Sequence, residues 1–171
     1  MLASRILETE RLILREFDQP DAGFVLKLLN TPAWLQFIGD KKVRTIVDAQ
    51  HYLLNGPIAS YRVHGFGLWL AWHKEREIPI GMCGLIKREF LDDVDIGFAF
   101  LPEFLGLGYG YEIASAILWY ARHELQIPTV VAITKPNNIA SMRLLLKLGL
   151  GFSRQIEISE GDKVFLFKEK D

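Results

Sequence analysis

The sequence predicts a mixed α/β fold, and three observations predict it. The spacing of apolar residues changes along the chain, from alternation in "RLILREF" to repeats of about four in "IASAILWYARHEL". "TVVAI" is a continuous β-branched run of the kind that forms a strand covered on both sides. Between the strand "DDVDIGFAFL" and the helical stretch lie Gly106, Gly108 and Gly110, so strand and helix are joined through a turn largely free of side chains. The 171 residues, half of them hydrophobic, suit one core, and residues 1–171 are read as one domain.

Each element follows in order. "RLILREF" alternates and reads as a strand. In "DQPDAGFVLKLLN", Asp18 is placed to cap, Pro20 stands near the start, and Phe24, Val25, Leu28 and Leu29 have helix spacing. "TIVDAQHYLLNG" opens on a Thr45–Asp48 capping box and stops at Asn55-Gly56. "GFGLWLAWHKEREIPIGMCGLIKRE" reads as two strands around a charged turn. In "DDVDIGFAFL", Asp95, Gly97, Ala99 and Leu101 share one face, and Ile96, Phe98 and Phe100 the other. Ile113, Ile117, Ala121 and Leu125 mark the buried face of the next helix. After "TVVAI", the stretch "NNIASMRLLLKLG" starts on capping asparagines and ends at Gly149, as a short helix does. "GFSRQIEIS" and "KVFLFKE" close the chain as a hairpin around Glu160-Gly161-Asp162. The strand-helix-strand unit from Val94 to Ile133 predicts a right-handed parallel crossover.

Composition excludes several classes of function. A net charge of −1 gives no basic surface for nucleic acid. No apolar run approaches the ~18 residues of a membrane span, and "MLASRILETERLILREF" lacks the order of a signal peptide. A cytoplasmic location is the expectation. The lone Cys83 rules out an internal disulfide and reads as a small buried hydrophobe. His51, His64, His73 and His123 lack metal-ligand spacing, so no metal is expected. Asp92, Asp93 and Glu103 read as solvated turn and loop charges.

The glycine turn invites an anion. The first N–H groups of a helix have no intrahelical partner, and the dipole adds positive charge there. Glycines let phosphate oxygens approach that backbone. From the glycines alone, phosphate binding and a merely tight turn both remain open. A P-loop needs Lys and then Ser or Thr after its last glycine, and Tyr111 and Glu112 stand there instead. The dinucleotide fingerprint needs a small residue where Tyr111 stands.

"DIGFAFLPEFLGLGYGYEIA" resembles the central motif of the GNAT superfamily of N-acetyltransferases, in which a strand leads through Q/R-x-x-G-x-G/A into a helix. Gly108 and Gly110 fall on its small positions. "ETERLILREFDQPDAGFVLKLLN" is similar to the opening of the branch that acetylates ribosomal-protein N-termini, and "NNIASMRLLLKLGLGF" to that branch's N-x-x-S helix. The resemblance implies a mostly antiparallel sheet of about seven strands with helices on both faces. It also implies acetyl-CoA as co-substrate, a primary amine as acceptor (a protein N-terminus or a small amine), and a monomer or homodimer. Leu105 departs from the motif's Gln or Arg. Leu145 stands seven residues after Asn138, where many members carry a proton-donating tyrosine.

The resemblance also implies roles. Phe98, Ala99 and Phe100 form the splayed strand that binds the pantetheine arm, with an N–H near Phe100 as oxyanion donor. Leu105, Gly106, Leu107, Gly108, Tyr109, Gly110 and Tyr111 carry the pyrophosphate. Asn138 caps its helix and contacts the arm. Ser141, one turn on, is the candidate donor to the leaving thiolate, with Tyr109 or Tyr111 next in line. Asp95 is the candidate base or ammonium partner, with a water chain to solvent as the alternative. Trp34 and Phe37 are the candidate acceptor wall. Transfer of a longer acyl group, or a CoA-binding sensor without catalysis, are the competing readings.

Overall fold

Ile113, Ile117 and Ala121 are fully buried, so the helix that carries them lies on the sheet as its periodicity requires. Burying an isoleucine in this way contributes about 2–3 kcal/mol each. The computed structural model describes residues 4–169. Its strands are β1 (Arg5–Glu8), β2 (Leu12–Arg15), β3 (Leu68–His73), β4 (Ile78–Ile86), β5 (Val94–Phe100), β6 (Val130–Thr134), β7 (Leu150–Ser159) and β8 (Asp162–Glu169). Its helices are α1 (Ala22–Leu29), α2 (Pro32–Phe37), α3 (Ile46–Asn55), α4 (Pro57–His64), α5 (Tyr109–His123) and α6 (Ile139–Lys147).

The eight strands form one sheet in the order β1-β2-β3-β4-β5-β6-β8-β7. Every neighbouring pair is antiparallel except β5 and β6, which α5 connects in parallel. Leu12, Leu14, Leu70, Ile80, Met82 and Leu85 fill the core between sheet and helices. Cys83 is buried among them, and burial pushes its thiol pKa well up, which leaves it inert.

Local signals hold where the sequence states them. Thr45 and Asp48 form the capping box at the start of α3, and Asn138 Oδ1 accepts the Ser141 amide at 3.1 Å to cap α6. Gly149 ends α6 at φ +88°, and Ser159 pairs with Asp162 across the hairpin turn. Three elements go beyond the sequence reading. β1 is a four-residue edge strand, too short to show alternation. α2 and α4 are short helices opened by Pro32 and Pro57, with Thr31 capping the first and Gly65 closing the second at φ +75°.

Candidate active site

The strands β5 and β6 separate almost as soon as they meet. Only Val94 with Val130 and Asp95 with Val131 pair, and β5 runs on to Phe100 without that neighbour. On the other side β5 stays in register with β4 throughout, from Asp95 with Ile86 to Phe100 with Gly81. The Leu101 amide donates to the Ile80 carbonyl at 2.9 Å. Antiparallel alternation then turns the N–H and C=O of Gly97 and Ala99 toward β4, and those of Phe98 and Phe100 into the gap. A cavity of about 770 Å³ occupies this gap, lined by Phe98, Ala99 and Phe100 on one side and by Ala132, Ile133 and Thr134 on the other.

At the end of β5 the chain enters the glycine turn. Gly106 and Gly108 take φ +73° and +85°, a region that favours glycine, and Gly108 leads directly into α5. The amides of residues 106–111 have no backbone acceptor among the described residues, while the next amide, of Glu112, bonds to the Gly108 carbonyl. Free N–H groups at the start of a fifteen-residue helix are the kind of backbone that suits an anion. Gly110 is tight for another reason: a Cβ there would lie 3.1 Å from Leu144 and 3.7 Å from the Phe100 ring.

The turn is braced from behind. Arg11 Nε donates to Glu112 at 2.6 Å, its Nη1 to the Leu107 carbonyl at 3.0 Å, and Thr9 Oγ1 to Glu112 at 2.6 Å. Burial pushes the Glu112 carboxyl pKa up, and these hydrogen bonds more than offset it, for a net shift downward. The Arg11 guanidinium also lies 4.2 Å from the Tyr109 ring centre. The Tyr109 hydroxyl is 2.8 Å from His73 Nε2, and the Arg76 amide donates to His73 Nδ1 at 3.1 Å. His73 is thus a buried structural residue whose Nε2 proton points at Tyr109.

Helix α6 faces the cavity with Asn138, Ser141 and Leu145. Asn138 spends its Oδ1 on the cap, which leaves its amide N–H groups for a ligand. The Ser141 hydroxyl has no partner among the described residues. Leu145 is fully packed and has no proton to give. Lys147, one helical turn from Arg143, places its ammonium 4.3 Å from the Tyr111 ring centre at the glycine-turn end.

The end of the cavity away from the turn carries Asp95, Arg88 and Tyr52, and Trp34 and Phe37 also belong to the lining. Asp95 is 1% exposed, and its Oδ2 accepts Arg88 Nε at 2.6 Å, while Oδ1 has no hydrogen-bond partner among the described residues. Desolvation raises its pKa to about 6, against the lowering pull of Arg88. Asp162, the other carboxylate of the lining, pairs with Lys135.

Every residue singled out from the sequence lines this one cavity except Leu107, whose side chain is exposed and whose carbonyl belongs to the Arg11 brace. Asp92 and Asp93 are exposed, and Glu103 pairs with Lys27 on the surface. Sequence reading passed over Arg88, Lys147 and the Thr9–Arg11–Glu112 brace. The brace joins positions about a hundred apart, and no local pattern marks it. Among the described residues no cluster of three metal-ligating side chains occurs, and no helix is long and apolar enough to cross a membrane.

The family model "Acetyltransferase (GNAT) domain" matches residues 11–151. The N-acetyltransferase YoaA of Bacillus subtilis is 27% identical over 163 residues, covering 91% of this chain and 90% of its own. An acetyltransferase from Agrobacterium tumefaciens shares the fold with a TM-score of 0.82 at 20% identity, covering 100% of this chain and 96% of its own. So does RimL, a ribosomal L7/L12 alpha-N-protein acetyltransferase solved with coenzyme A, with a TM-score of 0.82 at 18% identity and 97% coverage of both chains. With the separated strands, the free amides of the glycine turn and a match over most of its length, the chain belongs to the GNAT family of acetyl-CoA-dependent acetyltransferases.

Proposed function

We propose that the protein transfers the acetyl group of acetyl-CoA to the nitrogen of a primary amine by direct attack. One observation carries the reading: unpaired backbone N–H groups of the glycine turn and of β5 line a single cavity that also holds a buried carboxylate. Acetyl-CoA supplies an activated acetyl group as its thioester. The amides of residues 106–111 hold the pyrophosphate, with the Lys147 ammonium nearby in place of the polar residue that Leu105 lacks. The gap-facing N–H and C=O groups of Phe98 and Phe100 pair with the pantetheine arm, and one of these N–H groups polarises the carbonyl oxygen.

The amine nitrogen bonds to the carbonyl carbon, the carbon–sulfur bond breaks, and the nitrogen gives up a proton. Asp95 takes that proton through water: its free Oδ1 and a pKa raised to about 6 suit it better than an ordinary carboxylate. Ser141 donates a hydrogen bond to the departing thiolate, and Asn138 Nδ2 orients the arm. Trp34 and Phe37 wall the acceptor. RimL, named for its action on a ribosomal-protein N-terminus, makes an α-amine the first acceptor to try.

The test is thiol release from acetyl-CoA with amino acids, peptides, polyamines and aminoglycosides, with mass spectrometry of each acceptor. Thiol release matched by one acetyl group on an amine nitrogen is the expected result. Tight CoA binding with no acetylated acceptor overturns transfer and favours a CoA sensor. Equal or faster release from butyryl-CoA moves the reading to a longer acyl group.

A further inference from the structure

The end of the cavity away from the glycine turn carries an arginine, Arg88, only part of which is engaged. β5 runs from Asp95 toward the turn, so Asp95 and Phe100 stand roughly 16 Å apart along the strand. Lys135 follows the end of β6, which is parallel to β5, and pairs with Asp162; Lys147 lies on the Tyr111 ring. Those charges belong to the turn end. At the other end Arg88 meets one carboxylate, Asp95.

Arg88 is held in a particular way. Asp95 is buried and fixed in β5, and it engages Arg88 only through Nε, at 2.6 Å. The Phe90 ring centre lies 5.9 Å from the Arg88 guanidinium carbon. Among the described residues, Nη1 and Nη2 make no hydrogen bond, and the side chain is 33% exposed where it lines the cavity. Neutralising Asp95 requires one N–H; the two Nη groups remain as a planar fork whose geometry fits a carboxylate. Lys41 is a further cation of the cavity lining.

We infer that the acceptor is an amine that also carries a carboxylate, which the Arg88 Nη groups bind while the amine reaches the thioester. The inference rests on the transferase reading above and narrows it. The same guanidinium works against polyamines, whose extra ammonium groups would face Arg88. The carboxylate has two possible sources, a free amino acid or an acidic side chain close behind a peptide's N-terminus.

Matched acceptors separate these: leucine against leucinamide, and alanyl-aspartyl-glycine amide against alanyl-asparaginyl-glycine amide. Each is assayed with acetyl-CoA and the wild type, Arg88→Met, Arg88→Lys, and the double variant Arg88→Met with Asp95→Asn. The double variant removes both charges together, so no buried carboxylate is left alone. Wild type should favour the carboxylate member of one pair by roughly ten- to a hundred-fold in kcat/KM. That ratio should fall to near one in Arg88→Met and in the double variant, and partly in Arg88→Lys, with the acetyl-CoA Kd unchanged. The pair that shows the preference identifies the source. Ratios near one or lower in both pairs, or a ratio the variants leave intact, overturn the inference. Calorimetry of the same acceptors on CoA-saturated protein separates the two readings. Arg88-dependent carboxylate binding without transfer removes the transferase reading alone, and transfer to amines with no carboxylate preference removes this one alone.

Discussion

Ser141 and Asn138 share a helix face and differ in what they offer. Asn138 has one polar atom committed to the cap, so Asn138→Ala should cost about 1 kcal/mol of stability and raise the cofactor Kd as well. Ser141 uses only its backbone amide in that cap, which the Ala variant retains. Ser141→Ala should therefore lower kcat roughly ten- to a thousand-fold with the acetyl-CoA Kd nearly unchanged. Full kcat under single-turnover conditions would remove Ser141 as donor. Tyr109, which accepts from His73 Nε2 and keeps its own O–H proton, and Tyr111 then become the residues to change. Asp95 yields a second test. Its folded pKa of about 6 lies above the ordinary 3.8, so the folded state binds this proton more tightly than the unfolded chain does. The stability it contributes is complete below pH ~4 and is lost as pH rises through about 6, on the order of 2 kcal/mol. Asp95→Asn has no such proton. Its melting temperature relative to wild type should climb by a few degrees between pH 4 and 7, and a difference that stays flat would mean the carboxyl titrates normally.

Among the elements, β5 has the sharpest division of labour. Its odd-numbered residues Gly97 and Ala99 bond to β4, and Phe98 and Phe100 address the gap. Proline separates the two roles because it deletes an N–H. Phe98→Pro should leave the sheet paired, with modest loss in melting temperature, and should weaken CoA binding tenfold or more. Ala99→Pro breaks a β4 hydrogen bond and should cost about 3 kcal/mol. The pair is read by thermal melts and calorimetry, and equal effects at both positions would sink the assigned alternation. Legibility varied by element for physical reasons. α5 was plain because Ile113, Ile117 and Ala121 repeat over a long stretch, and the capping box of α3 lies within four residues. β1, α2 and α4 are shorter than the window in which a period shows, although Thr31-Pro32 and Pro57 are start signals that were there to be used.

For the molecule as a whole, the sequence marks the glycine turn, Asn138, Ser141, Asp95, Trp34 and Phe37 as candidates, and these residues line one cavity, whereas Arg88 is not marked. The glycine turn, Asn138 and Ser141 are local patterns, and the structure brings them into one cavity. Arg88 meets Asp95 across the turn from β4 to β5, and its importance depends on burial, which no spacing reports. The separation of β5 from β6 sets the two ends of the cavity apart in heredity as well as in space. What β5 presents to the gap are peptide groups, common to nearly every amino acid, whereas the turn depends on glycine at Gly106 and Gly108. Replacing Phe98 or Phe100 by most other residues keeps those groups where they are, with proline the exception. What the opposite end presents are individual side chains, Arg88 and Asp95, either of which one codon can change. Under random mutation the peptide groups of β5 stay where they are, while a side chain such as Arg88 is exchanged by a single substitution.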